Sequence, residues 1–146
     1  LICILQPEPL LICADSRRIW RVLENLYVNV CKYAMPGTRV YVDAIKKDGK
    51  IQLSIKNISE NPLNFQADEL TERFIRGDVS RSTEGSGLGL SIAKNLTVLQ
   101  HGSFNIYLDG DLFKVTITFD EAVKEKKPMP PMIVPEAVQE EAQQDA

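Results

Sequence analysis

Two Asp-Gly pairs, Asp48-Gly49 and Asp109-Gly110, each lie between stretches in which apolar and polar residues alternate, and they restrict the fold more than any other feature. A two-residue loop that needs positive φ favours Asp-Gly, and its twist matches two strands running back along one another. Residues 39–45 and 50–57 form one such pair. Phe104, Ile106 and Leu108 with Phe113, Val115, Ile117 and Phe119 form the second. Strands joined this tightly are antiparallel, because a parallel partner needs a crossover of a dozen or more residues. Their alternation implies one buried face each, which an apolar layer must cover.

Helical patterns supply that layer. Asp15 offers an N-cap, and Ile19, Leu23, Leu26, Tyr27, Val30 and Ala34 recur at helical spacing until Pro36-Gly37. A second pattern resumes around Leu90, with Ala93, Leu96 and Leu99 or Gln100 as its buried stripe and Gly102 closing it. Apolar runs at 1–5 and 10–13, separated by Pro7 and Pro9, read as short strands at a sheet edge. Trp20, Phe104, Phe113 and Phe119 are assigned to the core. The expectation is an α/β fold: a two-layer α/β sandwich whose mixed, mostly antiparallel sheet carries helices on one face.

The chain has 146 residues, enough for one ordinary core. Its net charge of −3 comes from its end: removing the six acids and three lysines of 121–146 from the 20 acidic and 17 basic residues leaves 14 of each. A balanced body offers no basic field for nucleic acid, and no run approaches the roughly 18 apolar residues of a membrane span. Four of the 8 prolines and no aromatic residue fall in the last stretch, so 1–120 is expected to form the domain and 121–146 a disordered tail. Cys3, Cys13 and Cys31 lack the spacing of a zinc site or a disulfide scaffold and read as reduced thiols. A start at Leu1 rather than Met, with no leader pattern, reads as a piece of a longer protein.

Two groups of residues point to chemistry. Asn25 and Asn29 stand one turn apart on the first helix, with Lys32 beyond, projecting from the face opposite much of the apolar stripe. Taken alone, they read as a solvated face. Gly85, Gly87 and Gly89 place three of the 8 glycines within five residues, directly before a helix. Glycine allows a close backbone approach, and a helix start offers unpaired N–H groups and a positive dipole end, so phosphate is the natural guest. Neither a dinucleotide fingerprint nor a P-loop fits, since loop precedes the glycines and Leu90 follows them.

The run from Arg21 to Tyr33, a hairpin, Glu72-Arg73-Phe74-Ile75-Arg76-Gly77-Asp78, and then Gly85-Ser86-Gly87-Leu88-Gly89-Leu90 together resemble the N box, F box and second glycine box of bacterial sensor histidine kinases. Order and spacing match from about Asp15 to Phe119. The resemblance implies the Bergerat ATP-binding sandwich, with ATP and Mg²⁺ as ligands. It implies that Asn29 ligates Mg²⁺, Asn25 supports the nucleotide, Lys32 pairs with phosphate and Tyr33 lies against the nucleotide. Phe74, Gly85, Gly87, Leu88 and Gly89 would surround it, and 74–87 would form a lid over the phosphates, from which Arg76 and Arg81 would reach the γ-phosphate. It further implies a phosphoacceptor histidine on a separate dimerisation segment, a downstream response regulator, and a cytoplasmic domain of a membrane-anchored sensor.

Three positions depart from that pattern or could mislead. Asn57 falls where the family carries the aspartate that accepts from the adenine amino group, and the first glycine box after it is replaced by Ile58-Ser59-Glu60-Asn61-Pro62. A neutral acceptor gives a weaker bond than an ionised one. Val28 stands where relatives hold a carboxylate before the magnesium asparagine, and valine is no base. His101, the only histidine, lacks the acceptor motif and reads as a structural His-Gly. The alternatives are a degenerate nucleotide-binding or docking module without catalysis, favoured by Val28 and the missing glycine box, and an anti-sigma-factor serine kinase, opposed by Arg76-Gly77-Asp78.

Overall fold

A computed structural model of the protein describes residues 1–5, 7–63 and 88–122. Its elements are β1 (Ile2–Leu5), α1 (Ser16–Tyr33), β2 (Tyr41–Lys47), β3 (Lys50–Ile58), α2 (Gly89–Val98), β4 (Ser103–Asp109) and β5 (Leu112–Asp120). The strands form one sheet in the order β1-β2-β3-β5-β4. Only β1 runs parallel to its neighbour; β2, β3, β5 and β4 pair antiparallel. This is the mixed α/β sandwich that the hairpins and helices imply.

The first hairpin turns as its sequence requires, with positive φ at both loop residues, Asp48 (51°) and Gly49 (70°). The second turns one residue later than Asp109-Gly110 suggests. Asp109 pairs with Leu112, so the loop is Gly110-Asp111, and only Gly110 has positive φ (56°). Glycine first is the signature of the other mirror-type turn.

Asp15 caps α1, accepting from the backbone N–H groups of Arg17 (2.9 Å) and Arg18 (3.1 Å). The helix lays Val22, Leu26 and Val30 on the sheet, and α2 adds Leu90 and Ala93. Beneath them lie Val42, Ile55, Phe113, Val115, Ile117 and Phe119, with Phe104, Ile106 and Leu108 at the margin. Each fully buried side chain of this kind contributes about 1.5–3 kcal/mol, so the core lies between the helix layer and one face of the sheet. Thr97, fully buried on α2, satisfies its hydroxyl on the Ala93 carbonyl at 2.8 Å.

Several sequence expectations are corrected. Trp20 is not core: it is 71% exposed, because it stands two residues before Val22 and so about 200° around the helix from it. Leu99 is exposed for the same reason, two residues past buried Thr97. Residues 10–13 form no strand, only a bridge from Ile12 to Glu121. Gly102 does not supply the left-handed residue that ends α2. His101 does, at φ 63°, with the paired bonds of a Schellman motif: His101 N–H to Val98 O and Gly102 N–H to Thr97 O, both 3.0 Å. Gly102 is needed for space instead, since a Cβ there would lie 2.6 Å from the Phe119 ring and 2.9 Å from Thr97 Cγ2.

Two residues past Asp120 are also tied to the sheet. Glu121 donates to Gly49 O (2.9 Å) and pairs with Lys46 (2.8 Å), and Ala122 donates to Leu11 O (2.8 Å). The lid at 74–87 and the tail beyond 122 lie outside the described residues.

Candidate functional site

Along the helix-facing row of β3, Ile51, Leu53 and Ile55 are followed at the next inward position by Asn57, which is 3% exposed. An amide placed in an apolar row costs free energy unless both its ends are bonded. Here only one is. Nδ2 donates to the Ile58 carbonyl at 3.2 Å, and Oδ1 is buried with no partner, alone in this among the side-chain N and O atoms of the described residues. That bond also orients the group: with the amine end held by a carbonyl, the acceptor end is what Asn57 presents. Strand parity made this position legible as inward; the orphaned oxygen was not.

The end of β3 that carries Asn57 is fastened to the C-terminal half of α1. Met35 N–H donates to Ile58 O and Glu60 N–H to Tyr33 O, each at 2.8 Å, while Ala34 and Ser59 form a bridge. Tyr33 is half-buried there, and Pro36 and Gly37 (φ 77°) carry the chain away. Val30 packs into the core while Asn29 beside it is half-buried and Lys32 is exposed. The asparagine face is therefore not a solvated back of the helix, as its sequence spacing alone suggested, but a flank between the core and α2.

Asn25 has a structural task on that flank. Its Nδ2 donates to the Arg21 carbonyl one turn earlier at 2.7 Å, which leaves Oδ1 directed at the start of α2. A Cβ on Gly89 would lie 3.3 Å from that oxygen, so glycine lets the two helices meet there. Leu88 precedes α2 without any side-chain cap, and Ser91 turns its hydroxyl to Leu88 O at 2.8 Å rather than to the open N–H groups. Among the described residues no side chain caps the first turn of α2, whose backbone donors and positive dipole end lie beside Asn25. Phe74, Arg76, Arg81, Gly85 and Gly87 lie outside the described residues.

The nearby carboxylate does not serve this site. Glu24 pairs with Arg21 at 2.7 Å on the exposed side of α1, and Val28 is 46% exposed. Among the described residues, no group of three or more His, Cys, Asp or Glu side chains could hold a metal ion. A cation here would have to be a hard one, shared between an amide oxygen and its ligand's own oxygens.

Comparison with known proteins agrees with this geometry. The family model described as histidine kinase-, DNA gyrase B- and HSP90-like ATPase matches residues 14–123. Sensor histidine kinase HprS of Escherichia coli (strain K12) is 34% identical over 108 residues, which are 73% of this chain and 24% of HprS. Probable sensor histidine kinase TcrY of Mycobacterium tuberculosis (strain ATCC 25618 / H37Rv) is 34% identical over 105 residues, 70% of this chain and 22% of TcrY. The chain thus spans about a quarter of the length of the curated relatives it matches. The structure of the mycobacterial sensor histidine kinase MprB superimposes with a TM-score of 0.66 at 25% identity, over 82% of this chain and 81% of that one. The catalytic domain of histidine kinase ThkA shares the fold, with a TM-score of 0.68 at 23% identity over 82% and 78%.

Proposed function

Since the chain belongs to the family of histidine kinase-, DNA gyrase B- and HSP90-like ATPases, we propose that it is the ATP-binding catalytic domain of a two-component sensor histidine kinase, passing the γ-phosphoryl group of ATP to a histidine on a separate dimerisation segment. One observation carries the reading. The buried Oδ1 of Asn57 has no partner within the described residues and is held as an acceptor, which suits the donor amino group of adenine and not the carbonyl of guanine.

The remaining residues fit around a nucleotide so placed. Tyr33 lies against it, and Asn25 holds Gly89 and Leu88 where the first turn of α2 meets the phosphates. Asn29 would hold Mg²⁺ through its amide oxygen, a hard donor suited to a hard cation, and the ion would supply charge neutralisation for the phosphates. Lys32, Arg76 and Arg81 supply positive charge to the phosphates; Phe74, Gly85 and Gly87 complete the enclosure. In the transfer, an imidazole nitrogen bonds to the γ-phosphorus as the bond to the bridging oxygen breaks and ADP leaves. Val28 gives water no general base, whereas a histidine needs mainly positioning and charge stabilisation. The phosphoacceptor segment and a response regulator would be its partners, and the setting a cytoplasmic domain. No described helix is long and apolar enough to cross a membrane.

Calorimetric titration with a non-hydrolysable ATP analogue, with and without Mg²⁺, tests this in the wild type, Asn29→Ala and Asn57→Leu. Asn29→Ala loses the magnesium-dependent part of binding. Asn57→Leu removes a buried unsatisfied acceptor, so the ligand-free protein gains about 1 kcal/mol of stability while nucleotide affinity falls tenfold or more, about 1.4 kcal/mol. Unchanged affinity in Asn57→Leu would remove the adenine site from this position.

A further inference from the structure

The flank of α1 turned away from Val22, Leu26 and Val30 carries apolar side chains that the domain leaves uncovered. Trp20 is 71% and Tyr27 37% exposed, Cys31 is exposed and Leu23 half-buried. At about 100° per residue, positions 20, 23, 27 and 31 fall in one stripe along the helix. Strand β1 extends the apolar surface: through its pairing, Cys3 shares the face of buried Val42, and Leu5 follows on that face at 66% exposure. Single exposed apolar residues are ordinary, but a continuous stripe marks an interaction surface.

The chain carries a matching occupant. Ala122 is bonded to Leu11, four residues before the N-cap Asp15, so the segment 123–146 is tethered near the start of α1. Six further residues reach about 20 Å, whereas Trp20 lies only about 7.5 Å of helical rise beyond Asp15. The residues arriving there are Pro128-Met129-Pro130-Pro131-Met132-Ile133-Val134-Pro135. A proline-rich segment is stiff before it binds and docks on aromatic surfaces at low entropic cost, and methionine sulfur packs well against rings. Charge agrees. Helix α1 has no acid in its first turn, and Arg17, Arg18 and Arg21 sit at the positive end of its dipole, with only Arg21 ion-paired among the described residues. Behind Pro135 come Glu136, Glu140, Glu141 and Asp145 without a single base.

We propose that 128–135 docks in cis on the Trp20–Tyr27 flank of α1, with the acids behind it set against Arg17 and Arg18. A segment too polar and proline-rich to fold by itself gains order on a preformed surface, and tethering raises its effective concentration to the millimolar range or so. The inference does not depend on what the nucleotide site binds.

Trp20 is the only tryptophan, so its emission reports this surface directly. In the full chain, we expect emission shifted to the blue relative to the double variant Met132→Asp/Ile133→Asp, and an acrylamide quenching constant about twofold lower, as for a docked form at least half populated. Neither position belongs to the core formed by the described residues, and a cooperative thermal transition of the variant confirms that it is folded. Arg17→Glu weakens the shielding part of the way, and dilution leaves the wild-type value unchanged. Equal quenching of wild type and double variant overturns the proposal. Shielding that disappears on dilution also overturns it, and makes a second copy of the chain the occupant.

Discussion

Helix α1 closes its first turn with the side chain of Asp15, whereas α2 begins behind Leu88, whose side chain can accept nothing. Backbone geometry follows the same division: Asp15 is extended (φ −70°, ψ 117°), as a capping residue is, and Leu88 is already helical (φ −86°, ψ −5°). At α1 the open donors are a structural liability, and a carboxylate stabilises them. At α2 no described side chain closes them, and they lie beside Asn25 of α1. A phosphate bound there, as proposed, would stabilise that helix start.

The largest effect should come from placing a negative charge at the start of α2. Leu88→Asp places a carboxylate where the phosphates are proposed to sit, so nucleotide affinity should fall at least tenfold, about 1.4 kcal/mol, in calorimetric titration. Leu88→Asn, similar in size but without the charge, should lose less. If both variants bound nucleotide like the wild type, the two helix starts would differ for no functional reason and the phosphate assignment would fall.

The reciprocal change should act on stability alone. Asp15→Ala removes both cap bonds and a carboxylate from a helix start crowded with Arg17 and Arg18, so thermal unfolding should show a loss of about 1 kcal/mol. Nucleotide affinity should hold, because Asp15 sits at the end of α1 remote from Asn29 and Tyr33. A drop in affinity would show that the cap transmits to the site through the helix.

What the sequence made legible is local. Asp48-Gly49 dictates its own loop, and Asp15 its own cap, within a few residues. Which side of α1 meets the sheet was less legible, because Ile19, Trp20, Val22, Leu23, Leu26, Tyr27, Val28 and Val30 spread apolar surface around most of the helix. Periodicity established a helix but not its phase, so Trp20 was assigned inward and Val22 passed over. In the candidate site, Asn29 and the glycine run could be read as motifs. The orphaned Oδ1 of Asn57 and the bond from Asn25 to the Arg21 carbonyl could not, since each depends on where neighbouring backbone carbonyls point.

The far end of α2 gives the smallest and most exacting test of the contrast between the helices. His101 holds the left-handed position usual for glycine, at a cost of about 1–2 kcal/mol for an ordinary residue, while Gly102 beside it is fixed by the Phe119 ring. Replacing His101 by glycine relieves that strain but returns about 0.5–1 kcal/mol of unfolded-chain freedom, so His101→Gly should gain about 0.5 kcal/mol. The readout is a higher urea midpoint at constant slope. Nucleotide binding and phosphoryl transfer should be unaltered, since His101 closes the helix end opposite Gly89 and is read as structural rather than as a phosphoacceptor. A loss of stability would mean that the imidazole makes a contact worth more than the strain. The tight end of α2 would then depend on a side chain, as the start of α1 does, and the contrast between the helices would be confined to the open turn at Gly89.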